Sequence, residues 1–325
     1  MKVGILGAGW IAEKMALTIQ GLKDVENYAI ASRSQEKAEA FKDKFGMTKA
    51  YGSYEDMLSD DQVDLVYIAV PHSHHHRYTL EALHAGRNVL CEKSFSVNEA
   101  QAREMIETAE EKGLLITEAI WTRYMPSRKI IDDLIGSGEI GEVTGVDSNL
   151  GYANYMNDRM TNPALAGGCL LDLTVYPLNF SSTILGDDHK SIHASMVPTD
   201  TGVDGMDSVM IEYNDGRMAT MFTTMYALTD RRGLIAGEKG FIVVENINNP
   251  QRITVYEPDR DAPRVRKDIV VPKQITGYEY QVLDCMEAIN AGKLECDAMP
   301  HEETIRIMRQ MDTIRKQWGL EFPCE

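Results

Sequence analysis

The stretch Lys2–Ala12, KVGILGAGWIA, decides the fold class of this chain. A short apolar run is followed directly by a GxGxxA pattern that opens a helix-like segment. In such a pattern the first glycine allows a tight turn, the second lets backbone approach a pyrophosphate, and the alanine lets helix and strand pack closely. The N-terminus of the helix attracts the phosphates. The stretch therefore predicts a dinucleotide site, with contacts at Gly7, Gly9, Trp10 and Ile11.

The rest of the N-terminal third alternates short apolar runs with helical patterns. This alternation is typical of a parallel sheet with helices on both faces, and each connection has the length of a βαβ crossover. The further strand candidates are Tyr28–Ala31, Asp64–Ala69, Asn88–Cys91 and Leu114–Glu118, and the helix candidates are Ile11–Gly21, Ser34–Phe45, His75–Ala85 and Val97–Lys112. The fold class is therefore predicted to be α/β, beginning with a doubly wound, Rossmann-type parallel sheet.

Strands follow one another in the remainder of the chain. The clearest hairpin joins Asp207–Tyr213 to Met218–Thr224 through an Asp-Gly turn, which favours antiparallel pairing. Other strand candidates are Glu142–Leu150, Ser191–Pro198, Gly240–Glu245 and Arg252–Tyr256, and helix candidates are Tyr278–Ala291 and His301–Gln317. A chain of 325 residues is long enough for two ordinary domains. We predict a dinucleotide-binding domain at residues 1–122 and, at residues 123–325, an α+β domain with a large, mostly antiparallel open sheet.

Composition excludes several classes of protein. A net charge of -17 would repel a nucleic-acid backbone, and no basic stretch offsets it. The five cysteines are scattered, without CxxC pairs, which fits a reducing compartment and predicts no metal site. The first strand begins at once, without a leader, and no run approaches a membrane span. We therefore expect a cytoplasmic protein that binds neither nucleic acid nor membrane.

The end of the second strand indicates which dinucleotide is bound. NAD-binding proteins commonly place a carboxylate there for the ribose 2′-hydroxyl, whereas this chain has Ser32 and Arg33. Without a carboxylate a 2′-phosphate meets no repulsion, and Arg33 can bind it through charge-assisted hydrogen bonds. NADP is therefore favoured. The alternative is that Arg33 is a solvated surface residue and that NAD binds without its usual carboxylate.

Three residues are candidates for proton transfer and substrate binding. Lys93 follows an apolar strand, at the edge of a doubly wound sheet where ligands bind. Asp172 and Tyr176 are four residues apart in GGCLLDLTVYP, so a helix would place them on one face. An ammonium group nearby would stabilise the phenolate of Tyr176 and make it a usable base. The structural alternatives are a lysine at a sheet edge, a locally paired aspartate and a core tyrosine.

Together these segments resemble the glucose-fructose oxidoreductase/inositol dehydrogenase/MocA family. The matching segments are GAGWIA, AVPHSHHHRYTLEALHAGRNVLCEKS, EAIWTRYMP and GGCLLDLTVYP, which span roughly the first 180 residues in the family's order. The sheet-rich remainder resembles the family's second domain. Many members have histidine at the position of Tyr176. Because this chain has tyrosine there, it is similar to the branch that contains dimeric dihydrodiol dehydrogenases and glucose-fructose oxidoreductase.

The resemblance implies roles for individual residues. Lys93 matches the lysine of the family's Glu-Lys-Pro motif and is expected beside the nicotinamide, Asp172 is expected to orient substrate hydroxyls, and Tyr176 is the expected proton donor and acceptor. The further cofactor contacts expected from the resemblance are Pro71, His75, Glu92 and Arg123. It also implies a homodimer formed through the C-terminal sheet.

One departure from the family pattern concerns Ser94, where most members have proline. The Lys-Pro bond is often cis, a geometry that a non-proline residue adopts only at a cost of about 3 kcal/mol. We therefore predict a trans bond or a remodelled loop at Lys93-Ser94.

The nearby histidines, His72, His74, His75 and His76, have no complementary carboxylate or thiolate in sequence, so no metal site is predicted there.

The predicted function is an oxidoreductase, with NADP favoured over NAD, that transfers a hydride between nicotinamide and a sugar, polyol or vicinal diol. Lys93 and Tyr176 would relay the proton, and Asp172 would orient the substrate. One alternative is a non-catalytic NADP-sensing regulator of the same fold. Another is an enzyme for a nucleotide sugar or bilin, although the acidic second domain offers no obvious basic site for a diphosphate.

Overall fold

The computed structural model describes residues 1–325 and contains two sheets. The first is parallel and six-stranded, in the order β3-β2-β1-β4-β5-β6. Its strands are β1 (Lys2–Leu6), β2 (Glu26–Ala31), β3 (Lys49–Tyr51), β4 (Leu65–Ile68), β5 (Asn88–Glu92) and β6 (Ile116–Ala119). Its order reverses at β1, with β2 on one side and β4 on the other. The predicted doubly wound sheet is confirmed.

Helices connect these strands. They are α1 (Trp10–Gln20), α2 (Gln35–Phe45), α3 (Tyr54–Leu58), α4 (His75–His84) and α5 (Glu99–Lys112), followed by α6 (Pro126–Gly136). Ser34 and Asn98 cap the first turns of α2 and α5 through their side-chain oxygens, and Gly46 and Gly113 end these helices in the left-handed conformation. The sequence missed β3 and α3 because elements of three and five residues are too short to display a period.

The second sheet has eight strands in the order β14-β13-β12-β11-β7-β10-β9-β8. Its elements are β7 (Val143–Gly151), α7 (Asp158–Thr161), α8 (Val175–Leu185), β8 (His189–Pro198), β9 (Asp204–Tyr213), β10 (Met218–Thr224), β11 (Gly233–Gly237), β12 (Gly240–Val244), β13 (Arg252–Glu257) and β14 (Arg264–Val270). All neighbours pair antiparallel except β7 and β10, so the predicted mostly antiparallel sheet is confirmed. The sequence missed the edge strand β14 because its exposed residues show no apolar alternation.

The chain folds into two compact units. Unit 1 comprises residues 1–124 and 274–308, and unit 2 comprises residues 125–273 and 309–325. Two helices, α9 (Glu279–Asn290) and α10 (His301–Trp318), complete the fold. Segment 274–308 groups with unit 1 because Val282, Cys285 and Ala288 of α9 belong to the same buried cluster as Ile5 and Met15. The domain boundary after residue 122 stays a prediction, and limited proteolysis would test it.

No helix of this chain combines the length and the apolar composition that a membrane crossing requires.

Candidate active site

The glycine-rich loop between β1 and α1 presents bare backbone. Gly7 has a φ of +107°, and a Cβ there would lie 2.4 Å from the carbonyl oxygen of Ala69, so only glycine fits. Gly9 is the N-cap of α1 without a side-chain cap, and a Cβ on it would meet no heavy atom within 4 Å. Ala12 is fully buried, whereas Trp10 is 68% exposed. Uncapped amide groups at a helix N-terminus fit a pyrophosphate.

The end of β2 carries no carboxylate. Ser32 is buried, Arg33 is exposed, and Ser34 is used as the N-cap of α2. Burial, together with the positive charge of Arg33, lowers the pKa of His74, which places Arg33 near that ring. A cation without a competing acid at this point fits a 2′-phosphate.

His75 joins the ends of β4 and β5 from inside the protein. Its ring is fully buried, with Nδ1 2.8 Å from the carbonyl oxygen of Ser94 and Nε2 2.8 Å from that of Val70. Burial lowers the pKa of His75 to about 4, although both carbonyls act in the opposite direction. Pro71 is partly exposed and leads into the helical turn before α4. Both ring nitrogens of His75 therefore face backbone, and its predicted contact with the cofactor stays a prediction.

The prediction of a trans bond or remodelled loop at Lys93-Ser94 is wrong, because this peptide bond is cis. Three backbone groups around it have side-chain partners. The amide of Lys93 donates to the Glu92 carboxylate at 3.2 Å, the carbonyl of Ser94 contacts His75, and the amide of Phe95 donates to Oε1 of Glu118 at 3.2 Å. These contacts come from three different elements, so tertiary structure shapes the turn here without proline. The side chain of Lys93 is partly exposed.

Buried charged groups surround the turn that carries Lys93. Glu92 accepts a hydrogen bond from the hydroxyl of Tyr67. Burial raises the pKa of Glu118 to about 7, while the amide of Phe95 and the charge of Arg123 lower it. The guanidinium of Arg123 forms an ion pair with Glu303, and the Arg123 side chain is only 7% exposed. Arg123 was predicted to contact the cofactor; that contact stays a prediction, and the partner observed within unit 1 is Glu303.

In unit 2, the segment GGCLLDLTVYP contains a helix that begins with one wider turn. Residues Leu170–Thr174 form a π-helical turn that continues into α8, so Asp172 lies in this turn and Tyr176 in α8. Both side chains are almost completely buried. Gly168 has a φ of +122°, and a Cβ there would lie 2.1 Å from Oδ1 of Asp204. Asp204, which lies 36 residues further along the chain, therefore requires glycine at position 168. The sequence pattern did not reveal this requirement.

The carboxylate of Asp172 is held by a residue that the sequence did not indicate. Nη1 of Arg159 donates to Oδ1 at 2.8 Å and Nη2 donates to Oδ2 at 3.2 Å. The Arg159 side chain is 39% exposed, against 7% for Asp172. This two-point contact fixes the plane of the carboxylate. No motif or period marks Arg159, because it belongs to the helix α7, whose four residues are too few to display a period.

The histidine cluster does not converge on one point. Nε2 of His76 lies 2.8 Å from a carboxylate oxygen of Glu104, His74 stacks on Tyr78, and His75 faces two carbonyls. Nowhere in residues 1–325 do three or more histidine, cysteine, aspartate or glutamate side chains form a group that could hold a metal ion.

Two family descriptions match the chain. Residues 1–119 match the oxidoreductase family with an NAD-binding Rossmann fold, and residues 129–243 match the GFO/IDH/MocA C-terminal domain.

Relatives are similar over almost their full lengths. D-xylose 1-dehydrogenase (NADP(+)) of Hypocrea jecorina is 35% identical, with 99% of this chain and 93% of the relative covered. Trans-1,2-dihydrobenzene-1,2-diol dehydrogenase of Mus musculus is 31% identical, with 99% and 98% covered. Among solved structures, a 3-ketoreductase from Actinomadura kijaniata in complex with NADP and TDP-benzene superposes with a TM-score of 0.88 at 25% identity, covering 97% of each chain.

Proposed function

Because this chain belongs to the GFO/IDH/MocA family of NAD(P)-dependent oxidoreductases, we propose that it transfers a hydride between NADP and a CH–OH group of a sugar, polyol or vicinal diol. The observation that carries the proposal lies within unit 1. Lys93 follows β5 at the same edge of the parallel sheet as the glycine loop after β1. In sheets of this kind the ligand binds at that edge, beyond the carboxyl ends of the strands.

The names of the relatives support the substrate class. One acts on D-xylose with NADP(+), and another acts on a trans-dihydrodiol. Both substrates carry neighbouring oxygen substituents. Asp172, held by Arg159, offers carboxylate oxygens that can accept hydrogen bonds from such neighbouring hydroxyls.

The protein residues have separate proposed roles. Bound NADP supplies the hydride acceptor, and the amides after Gly7 and Gly9 hold its pyrophosphate. Tyr176 exchanges a proton with the reacting oxygen of the substrate through its hydroxyl. The ammonium of Lys93 favours the phenolate form of that tyrosine and so completes the proton relay. Asp172 orients the hydroxyl next to the reacting carbon.

Arg33 is expected to determine the preference for NADP over NAD. Replacing Arg33 with serine should raise the KM for NADP⁺ by ~10- to 100-fold, because a charge-assisted hydrogen bond to the 2′-phosphate is lost. The KM for NAD⁺ should change little. Arg103→Ser is the matched control, since Arg103 is an arginine on α5 that pairs with Glu99. If Arg33→Ser raised the KM for NADP⁺ and the KM for NAD⁺ equally, Arg33 would not determine the coenzyme preference.

A substrate panel tests the function directly. Reduction of NADP⁺ and of NAD⁺ would be followed with aldoses, polyols and cyclic vicinal diols, with wild type and Lys93→Met assayed side by side. Turnover with NADP⁺ that is lost in the variant supports the proposal and identifies the substrate class. Tight NADPH binding without turnover on any member of the panel would favour the alternative, a regulator that senses NADP.

A homodimer and a cytoplasmic location remain proposals. Val197, Met218 and Phe222 of the second sheet are exposed apolar side chains that a second copy could bury. Light scattering on the purified protein would measure the oligomeric state, and fractionation of the source cells would test the location.

A further inference from the structure

Two buried aspartates hold the turn that contains Asp172. Asp204 and Asp207 lie near the start of β9 and are at most 1% exposed. The amide of Leu170 donates to Oδ2 of Asp204, and the hydroxyl of Thr174 donates to Oδ2 of Asp207 at 2.7 Å. Leu170 and Thr174 are the first and last residues of the π-helical turn, and Asp172 is its middle residue. The two carboxyl groups therefore fix both ends of this turn.

Each carboxyl group has a second oxygen that lacks a donor. Oδ1 of Asp204 and Oδ1 of Asp207 are buried and accept no hydrogen bond, although the two side chains lie within hydrogen-bonding reach of each other. Two ionised carboxylates are both acceptors and repel each other. A proton on one of them converts this repulsion into a hydrogen bond and satisfies the unpartnered oxygens.

The surroundings favour holding that proton. The groups that act on the pair or on the neighbouring thiol of Cys169 include Asp172 and Thr174 of the turn, Thr223 of β10, and Arg315 of α10. Arg315 is the single cation among them, and it already pairs with Asp312 and Glu325. The thiol of Cys169 donates to the carbonyl of Gly205 at 3.0 Å. None of the residues in this group forms an ion pair with Asp204 or Asp207.

We propose that Asp204 and Asp207 share a proton and act as a positioning pair, holding the turn so that Asp172 presents its carboxylate to the substrate. This inference rests on the proposed function in assigning the substrate to Asp172. The existence of the shared proton is independent of that function and can be tested separately.

The pH dependence of the pair follows from burial. Burial raises the pKa of Asp204 from 3.8 to about 7, and it raises the pKa of Asp207 well above its usual range. A carboxyl group whose pKa is raised in the folded state stabilises the fold fully below the ordinary carboxyl pKa, and that stabilisation is lost as the pH rises through the folded-state pKa. The turn should therefore be held best in acid and less well above about pH 7.

Asparagine variants test the shared proton. In Asp207→Asn the amide can donate to Asp204 while its oxygen accepts from Thr174, so the variant mimics the protonated pair at every pH. Its resistance to urea, relative to wild type, should increase between about pH 5 and about pH 9. Glu212→Gln is the matched control on the same strand, since its side chain is 33% exposed and should show no such trend. A stability difference that does not change with pH would overturn the proposal.

Kinetics test the positioning role. Asp207→Asn should keep kcat and the substrate KM within ~3-fold of wild type, whereas Asp207→Ala should raise the substrate KM by ~10-fold or more without changing the NADPH Kd. Equal damage by alanine and asparagine would overturn the positioning role. If Asp207→Ala does not fold, Asp204→Asn is assayed in its place, and a kcat or substrate KM outside the ~3-fold range would again contradict the proposal. If wild type turns over no substrate, the proposed function fails, while the urea experiment still decides whether the proton is shared.

Discussion

Replacing Lys93 with methionine should lower kcat by ~10²- to 10⁴-fold, the range usual for loss of a group that takes part in proton transfer. Methionine keeps most of the length and the apolar stem of lysine but removes the ammonium group. The turn around Lys93 is held through backbone groups by Glu92, His75 and Glu118, so the substitution should leave its shape unchanged. The Kd for NADPH should stay within ~3-fold of wild type, because the pyrophosphate is bound by the glycine loop.

Steady-state kinetics measure kcat, and a fluorescence titration with NADPH measures the Kd of the cofactor separately. Lys112→Met is the matched control, since Lys112 is exposed in the last turn of α5, and it should leave both unchanged. If Lys93→Met weakened NADPH binding as much as it lowered kcat, Lys93 would have a structural or cofactor-binding role rather than a part in the proton transfer.

Replacing Tyr176 with phenylalanine should also lower kcat by ~10²- to 10⁴-fold, because the proposed proton donor and acceptor is lost. The ring is almost completely buried in the first turn of α8, and phenylalanine retains its packing. Any step in the pH profile of kcat that arises from the phenol should disappear in the variant. Rates measured in both reaction directions across the pH range would check this.

Tyr213→Phe is the matched control for this variant. Tyr213 is a buried tyrosine of the same unit, at the end of β9, and its replacement should leave the pH profile of kcat unchanged. A Tyr176→Phe enzyme with wild-type kcat and an unaltered profile would exclude Tyr176 as the proton donor.

Local features of the fold were predictable because they depend on residues close together in the chain. The strand that ends at Leu6, the turn at Gly7 and the helix that follows require only a short apolar run, a glycine and a helical period. The Asp-Gly pair likewise predicted the β9–β10 hairpin, and the antiparallel pairing of these two strands is confirmed. Lys93 could be assigned to the edge of the parallel sheet because a strand ends just before it.

Features that join distant parts of the chain were decided by tertiary structure alone. Segment 274–308 joins unit 1 because the apolar side chains of α9 complete its core, and nothing in the local pattern of α9 identifies the surface that it covers. Arg159 contacts Asp172 across 13 residues, and Asp204 contacts Leu170 across 34. The cis bond at Lys93-Ser94 departs from the trans preference of a non-proline residue, in a turn whose neighbouring backbone groups contact His75 and Glu118.

The amino-acid sequence by itself thus determined the strand and helix periods, the glycine positions and the residue types available for chemistry, because these are set by backbone geometry over a few neighbours. The partners of those chemical groups were decided only in the folded chain. Hydrogen bonds to Asp172, His75 and Asp207 depend on which segments pack together, and that packing is a property of the whole structure.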